Sequence, residues 1–307
     1  MSKSNHWSEY WKSGVQTSLP SDFKKNYDGE IYAFWEGRVD DLSSGDHVLD
    51  VCTGNGAVAL IISEIALQQN KSIKITAIDI SEINTEFIQK NVAQKVWSQI
   101  DFISHCPLAD IAKHVDDKYQ LVVSQYGLEY TDLNITAEVI FNLIQFGGEL
   151  AFISHSVDSD VFKYMQTEQS IYQWLSDIGI ISTLSDFIGA RISANGLKNT
   201  LLSIVEKNQP PINFHGQTLL IHWQKMLTML IKNNNHTIKN EKDNLKKFIE
   251  AHKAAKLRAD DVVQVGQKLS DKKWNQEISS VGFRCLEDKP IIYQGTNVAG
   301  HSYRYIK

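Results

Sequence analysis

Asp50 and Asp79 each close an apolar run, VLD at 48–50 and IKITAID at 73–79, and between them lies the turn CTGNG with Gly54 and Gly56, followed by the apolar segment AVALIISEIAL. Strand, glycine turn, helix, strand and acid make a βαβ unit that binds an adenosine-bearing ligand. The glycines let the backbone pass close to the ligand, and the acid ending the second strand can hold two ribose hydroxyls. A dinucleotide site would carry G-x-G-x-x-G, with its pyrophosphate on the helix N-terminus. Here Ala59 stands three places after Gly56, and Cys52 takes the place of the first glycine. Cys106, Gln125, Tyr126 and His155 also fall at or just past the ends of apolar runs, which is where α/β proteins assemble ligand sites.

The elements that must position these residues alternate in type between 46 and 155. Strands are expected at 47–51, 74–79, 99–104, 119–125 and 148–154, with helices at about 56–69, 82–95 and 133–146. That rhythm implies a parallel sheet covered on both faces. Residues 1–45 form an aromatic-rich N-terminal cap; within it DGEIYAFWEGRVDDL puts Ile31, Phe34, Trp35 and Val39 at helical spacing, either packed on the core or serving as a lid. From 156 to about 260 the rhythm breaks into helices at 158–178, 183–193, 197–207, 216–232 and 238–258, a helical insertion that suits a substrate lid or a dimer surface. Residues 261–307 return to the core with a helix at about 271–280 and two strands, FRCLEDKPIIYQ and HSYRYIK, joined as a hairpin by GTNVAG.

Composition narrows the classes. Of 307 residues, 42% are hydrophobic and 22% charged, and the formal net charge of -5 argues against a nucleic-acid-binding surface overall. Within 206–260 ten Lys/Arg face five Asp/Glu, read first as a solvated helix face and second as a docking surface for an anionic substrate or partner. No apolar run reaches the roughly 18 residues of a membrane helix, and the first 20 residues lack the apolar core of a signal peptide. Three scattered cysteines, Cys52, Cys106 and Cys285, fit reduced thiols in the cytoplasm and rule against a structural zinc site. The histidines form no H-x-x-x-H pattern, so no metal is expected.

The acid before the turn, Asp50, together with Gly54, Gly56 and Asp79, resembles the first motifs of class I S-adenosylmethionine-dependent methyltransferases. Cys52 departs from the family's first glycine, although relatives such as the quinone-biosynthesis methyltransferases also read C-T-G-x-G. The resemblance spans roughly 46–155 and 265–307. It implies a Rossmann-like, doubly wound, seven-stranded, mostly parallel sheet with a C-terminal antiparallel hairpin, and S-adenosyl-L-methionine as cofactor. It assigns Asp50 to the turn near the methionine amino group and Asp79 to the ribose diol, with Cys52, Thr53, Asn55 and Ile80 beside them. Cys106 lies where many members carry an acid for the adenine amino group; with a thiol there, backbone groups of Pro107 and Leu108 must do more, and Asp110 is a substitute four residues late. After the fourth strand the chain reads S-Q-Y-G at 124–127, not the N-P-P-Y type of enzymes that methylate DNA adenine or glutamine, so Gln125 and Tyr126 line a different kind of site.

The expected activity is SN2 methyl transfer to a small-molecule acceptor. His155 is a candidate general base, Glu129 a base or a cap for the next helix, and Tyr126 a lining residue. Three rivals stay open: a protein or RNA methyltransferase docking through the basic insertion, a non-catalytic protein binding the cofactor or a partner, and, more weakly, a nicotinamide dehydrogenase.

Overall fold

The computed structural model describes residues 5–18, 23, 25–115 and 118–307; residues 1–4, 19–22 and 24 of the expected cap lie outside them. Seven strands, β1 (His47–Val51), β2 (Lys74–Ile78), β3 (Ile100–Ile103), β4 (Tyr119–Gln125), β5 (Ile144–Ser154), β6 (Arg284–Tyr293) and β7 (Asn297–Ile306), form one sheet in the order β3-β2-β1-β4-β5-β7-β6. The first five run parallel, and β7 pairs antiparallel with both β5 and β6. The chain packs as two units, 1–162 with 264–307, and 163–263.

In the first unit the strand period of two divides the core. Val48 of β1 joins Ile75 and Leu121 in a cluster with Ile31, Trp35 and Val39 of α2 (Gly29–Asp40) and Val58, Ile61, Ile62 and Ile65 of α3 (Ala57–Gln68). Leu49 and Val51 face the other way, with Val122, Phe152 and Tyr303, onto Leu133, Ala137 and Ile140 of α6 (Leu133–Leu143) and Ile278 of α13 (Gln276–Ser280). Both faces being covered, β1, β2 and β4 are near-continuous apolar runs. α2 is thus a core helix, and its Trp35 indole donates to Gln125 Oε1 at 2.7 Å; the cap reaches the site through an earlier helix, α1 (Asn5–Lys12), and the segment after it.

Several boundaries differ from expectation. The helix expected at 82–95 is two, α4 (Thr85–Asn91) and α5 (Gln94–Trp97), because Val92 and Ala93 are extended. β5 begins at Ile144, so α6 ends three residues early. The second unit is helical: most of α7 (Asp160–Asp177), α8 (Ile180–Ile188), α9 (Ala194–Lys207), α10 (Thr218–Lys232), α11 (Asn235–Asn240) and most of α12 (Lys242–Leu269). It has its own core of Ile171, Leu184, Phe187, Leu197, Trp223, Leu230 and Ile249. No helix among the described residues is long and apolar enough to cross a membrane.

Candidate functional site

The carboxyl ends of β1, β2 and β4 open into a cavity of about 300 Å³, at the lower end of the range for small-molecule sites. Of the residues expected there, Asp50, Cys52, Thr53, Asp79, Ile80, Cys106, Pro107, Leu108, Gln125 and Tyr126 line it. Gly54, Asn55, Gly56, Glu129 and His155 do not.

The period of two turns Asp50 toward α3, where Oδ2 accepts from Thr53 Oγ1 at 2.5 Å and from the Ala59 N–H at 3.0 Å. Oδ1 is sealed from solvent and has no partner among the described residues. Burial pushes this carboxyl up to about 7, against the two hydrogen bonds that favour its anion, with the neighbouring Asp79 charge adding a further small rise. Asp79 Oδ2 accepts the Gly54 N–H at 2.7 Å, and Oδ1 accepts the Ser81 N–H at 2.8 Å and the Ser81 hydroxyl. Ser81 therefore does not cap the next helix; Asn84 does, accepting from the Phe87 N–H at 3.0 Å. Oδ2 of Asp79 accepts a single hydrogen bond and keeps a lone pair to offer, while Oδ1 already accepts two.

Cys52 sits at φ 58, in the left-handed region that glycine enters freely. A side chain is accommodated because the facing residue is Gly127, where an added Cβ would stand 2.4 Å from the Cys52 Cβ. Burial, then the negative charges of Asp79, Glu129 and Asp50, raise its thiol well above the ordinary range, so it stays protonated. Gly54 (φ 58) gives room to the Trp11 indole, which an added Cβ would meet at 2.5 Å. Asn55 is fully buried and holds the N-terminal segment down. Its Nδ2 donates to the carbonyls of Trp11 at 3.0 Å and Val15 at 2.7 Å, and its Oδ1 accepts the Asn84 N–H. Its side chain thus turns to the N-terminal segment and stands outside the cavity lining.

Cys106 is buried, its N–H donating to the Asp79 carbonyl at 2.8 Å, and beyond it Pro107, Leu108 and Ala109 form an apolar wall. Asp110 points away and pairs with Lys113 at 2.6 Å, so it is no substitute acid. Gln125 gives its Oε1 to Trp35, and its amide also acts by hydrogen bonding on the Tyr27 hydroxyl, where it favours the phenolate against the stronger effect of burial. Tyr126 (φ 53) lines the cavity and donates its hydroxyl to the Ala299 carbonyl at 2.8 Å. Glu129 does not cap α6, since Asp132 does; it turns inward to His155 Nδ1 at 2.7 Å.

The aromatic-rich cap, expected to help shape the pocket, contributes Trp7, Trp11 and Tyr27. The sequence reading did not name Gln16, Thr17 and Ser18 beside them, nor Tyr130, Thr131, Asp132, Ile135 and Thr136 after β4. No Lys, Arg or His lines the cavity among the described residues; its charged groups are Asp50, Asp79 and Asp132. No cluster of three metal-ligating side chains occurs among the described residues.

No curated protein matches the chain. Among solved structures it is similar to the [4+2]-cyclase SpnF (18% identity, TM-score 0.34, covering 42% of this chain and 47% of that one). It is also similar to geranyl diphosphate C-methyltransferase from Streptomyces coelicolor A3(2) (12%, TM-score 0.33, 40% and 44%). A third is a protein of Methanococcus maripaludis proposed as an S-adenosyl-L-methionine-dependent methyltransferase (12%, TM-score 0.39, 91% and 85%). The chain spans about half the length of the first two, and likeness at this level says nothing of an acceptor. A family model described as a methyltransferase domain matches residues 42–234, more than half of the chain. With that match over a sheet of this strand order, the chain belongs to the class I S-adenosylmethionine-dependent methyltransferases.

Proposed function

We propose that this protein moves the methyl group of S-adenosylmethionine to a small acceptor that carries no phosphate or other strong anion. One observation carries the cofactor part of the reading: Asp50 and Asp79 end adjacent strands on one cavity, Asp50 Oδ1 has no hydrogen bond among the described residues, and Asp79 Oδ2 keeps a free lone pair. Buried polar atoms are nearly always paired. The ammonium of an amino-acid head gives the Asp50 carboxylate its missing partner. Asp79, with the remaining lone pair of Oδ2 at the end of β2, suits a ribose hydroxyl, and the wall of Cys106, Pro107 and Leu108 suits the adenine plane.

When bound, the sulfonium supplies an electrophilic methyl and a neutral leaving group. The residues of the chain bind the head and ribose, align the acceptor and exclude water. The character of the acceptor is read from the lining. With Asp50 and Asp79 given to the cofactor, the Asp132 carboxylate, the aromatic rings of Trp7, Trp11, Tyr126 and Tyr130, and the lack of a basic side chain in the lining among the described residues favour a neutral or cationic apolar molecule over a phosphodiester. This weighs against docking of RNA at this cavity.

Calorimetric titration with S-adenosylhomocysteine tests the reading. The wild type is expected to saturate with one site, and Asp79→Ala, checked for folding by its melting curve, to lose at least tenfold in affinity, about 1.4 kcal/mol. A folded wild-type protein that does not bind S-adenosylhomocysteine would refute the proposal.

A further inference from the structure

The cavity has two sides. Asp50 and Asp79 end β1 and β2, while β4 lies across β1 from β2. With the cofactor held by those two acids, the side toward β4 and the segment after it is left for the acceptor. Tyr130 and Asp132 line that side, and α1 lays Trp7 against it. The Trp7 ring stands 5.8 Å from Tyr130 at an interplanar angle of 79°, and 6.4 Å from Trp11 at 25°. Two nearly parallel indoles thus meet a phenol at nearly a right angle, which makes a corner of aromatic surface.

Asp132 adds a negative charge beside this corner. Its Oδ1 caps α6, accepting the Asn134 N–H at 3.1 Å and Asn134 Nδ2 at 2.9 Å, while Oδ2 has no hydrogen bond among the described residues. Lys268, the cation whose charge interacts with Asp132, donates to the carbonyls of Glu129 at 3.1 Å and Thr131 at 3.0 Å and does not line the cavity. Aromatic faces joined by a carboxylate attract a cation.

We propose that the acceptor is an apolar amine, methylated on nitrogen to a cationic product, and that Trp7, Tyr130 and Asp132 select it. The proposal rests on the methyltransferase reading above. The amine enters as its free base, its proton left in the solvent. Its lone pair forms the new carbon–nitrogen bond, and the electron pair of the broken carbon–sulfur bond stays with sulfur. Positive charge therefore arrives on the nitrogen as the reaction proceeds. Rings and a carboxylate at that place bind the acceptor more strongly in the transition state than before it, which is the kind of binding that lowers a barrier. A hydroxyl or carbon acceptor ends neutral once its proton has left, and gains nothing from such a site. A tertiary amine carries no proton to remove, in keeping with a lining that holds no Lys, Arg or His among the described residues.

The test is calorimetric titration of the full chain saturated with S-adenosylhomocysteine. Choline serves as the quaternary probe, and the alcohol in which carbon replaces its nitrogen serves as the neutral probe of the same shape. The wild type is expected to bind choline about tenfold tighter than the alcohol. Asp132→Asn, which keeps a capping side chain, and Trp7→Leu are each expected to reduce that preference to about threefold or less, and Asp132→Asn to leave the affinity for the alcohol unchanged. Equal affinity for the two probes, no binding of choline, or a preference that both variants keep overturns this proposal alone. Should Trp7→Leu fail to fold, Asp132→Asn decides. Failure of S-adenosylhomocysteine to saturate the folded wild type overturns the cofactor reading and this proposal with it.

Discussion

Asp50 has a measurable signature. Its carboxyl sits near 7 when folded, because burial dominates, against about 3.9 in an unfolded chain. Between those values the folded protein holds a proton that the unfolded chain has lost, so this group lowers stability as pH rises from about 4 to 7. An ammonium placed at Oδ1 favours the anion. Binding of S-adenosylhomocysteine is therefore expected to release close to one proton at about pH 6 and almost none at about pH 8, with affinity rising up to about pH 7 and flattening above. Titrations in two buffers of different ionisation enthalpy measure this; a proton count that does not change with pH would contradict it. Cys52 offers a second test. Its φ of 58 costs a side-chain residue about 1 kcal/mol, while glycine gives back a similar amount through the entropy of the unfolded chain. Cys52→Gly is expected to stay within about 1 kcal/mol of wild type in urea unfolding, and Cys52→Val, β-branched in the left-handed region, to lose more. Equal stability of the two variants would show that the backbone is not strained there.

The N-terminal segment is tied to the glycine turn by one side chain. The buried Asn55 side chain makes three hydrogen bonds, two of them to carbonyls of residues 11 and 15. Removing them leaves polar backbone unpaired, a loss of about 2–3 kcal/mol. Asn55→Ala is expected to speed amide exchange over residues 5–18 by at least tenfold and leave β1, β2 and β4 protected; unchanged exchange in 5–18 would show that Trp11 packing alone holds the segment. This tether also marks the limit of what the sequence discloses. Asp50, Gly54, Gly56 and Asp79 were legible because a βαβ unit is local, and strand ends follow from runs of apolar residues. The partners of Asn55 lie about 40 residues away and follow no period. The Glu129–His155 pair is likewise a product of β4 lying beside β5; each residue read alone carries several equally ordinary roles. The break at Val92 and Ala93 escaped because neither residue is a helix breaker, and both are extended in the folded protein.

At the scale of the whole molecule, the helical unit carries a liability of its own. His252 is buried between the rings of Tyr172 and Trp223, at 4.8 and 5.0 Å, with neither ring nitrogen hydrogen-bonded among the described residues. Burial first, then the charges of Lys256 and Lys253, push it down to about 4, against about 6.5 in an unfolded chain. The unfolded chain thus takes up a proton that the folded unit refuses, and stability is lost as pH falls from about 6.5 toward 4. With allowance for partial solvent screening this amounts to about 2 kcal/mol. His252→Phe is expected to abolish that part of the difference in urea stability between about pH 7.5 and 5; an undiminished difference would assign the acid sensitivity elsewhere. The strand order has a further consequence, for synthesis. β5 is flanked by β4 on one side and on the other by β7, and the whole helical unit is encoded between the two. A ribosome adding roughly 5–20 residues per second needs on the order of ten to thirty seconds to pass from Ser154 to Ile306. Throughout that interval β5 is an open edge on a nascent chain, with its amides and carbonyls facing any other strand nearby. The exposed window closes only when the last strand emerges and slots in beside it, so the cell's chaperones meet this protein first as an unfinished sheet.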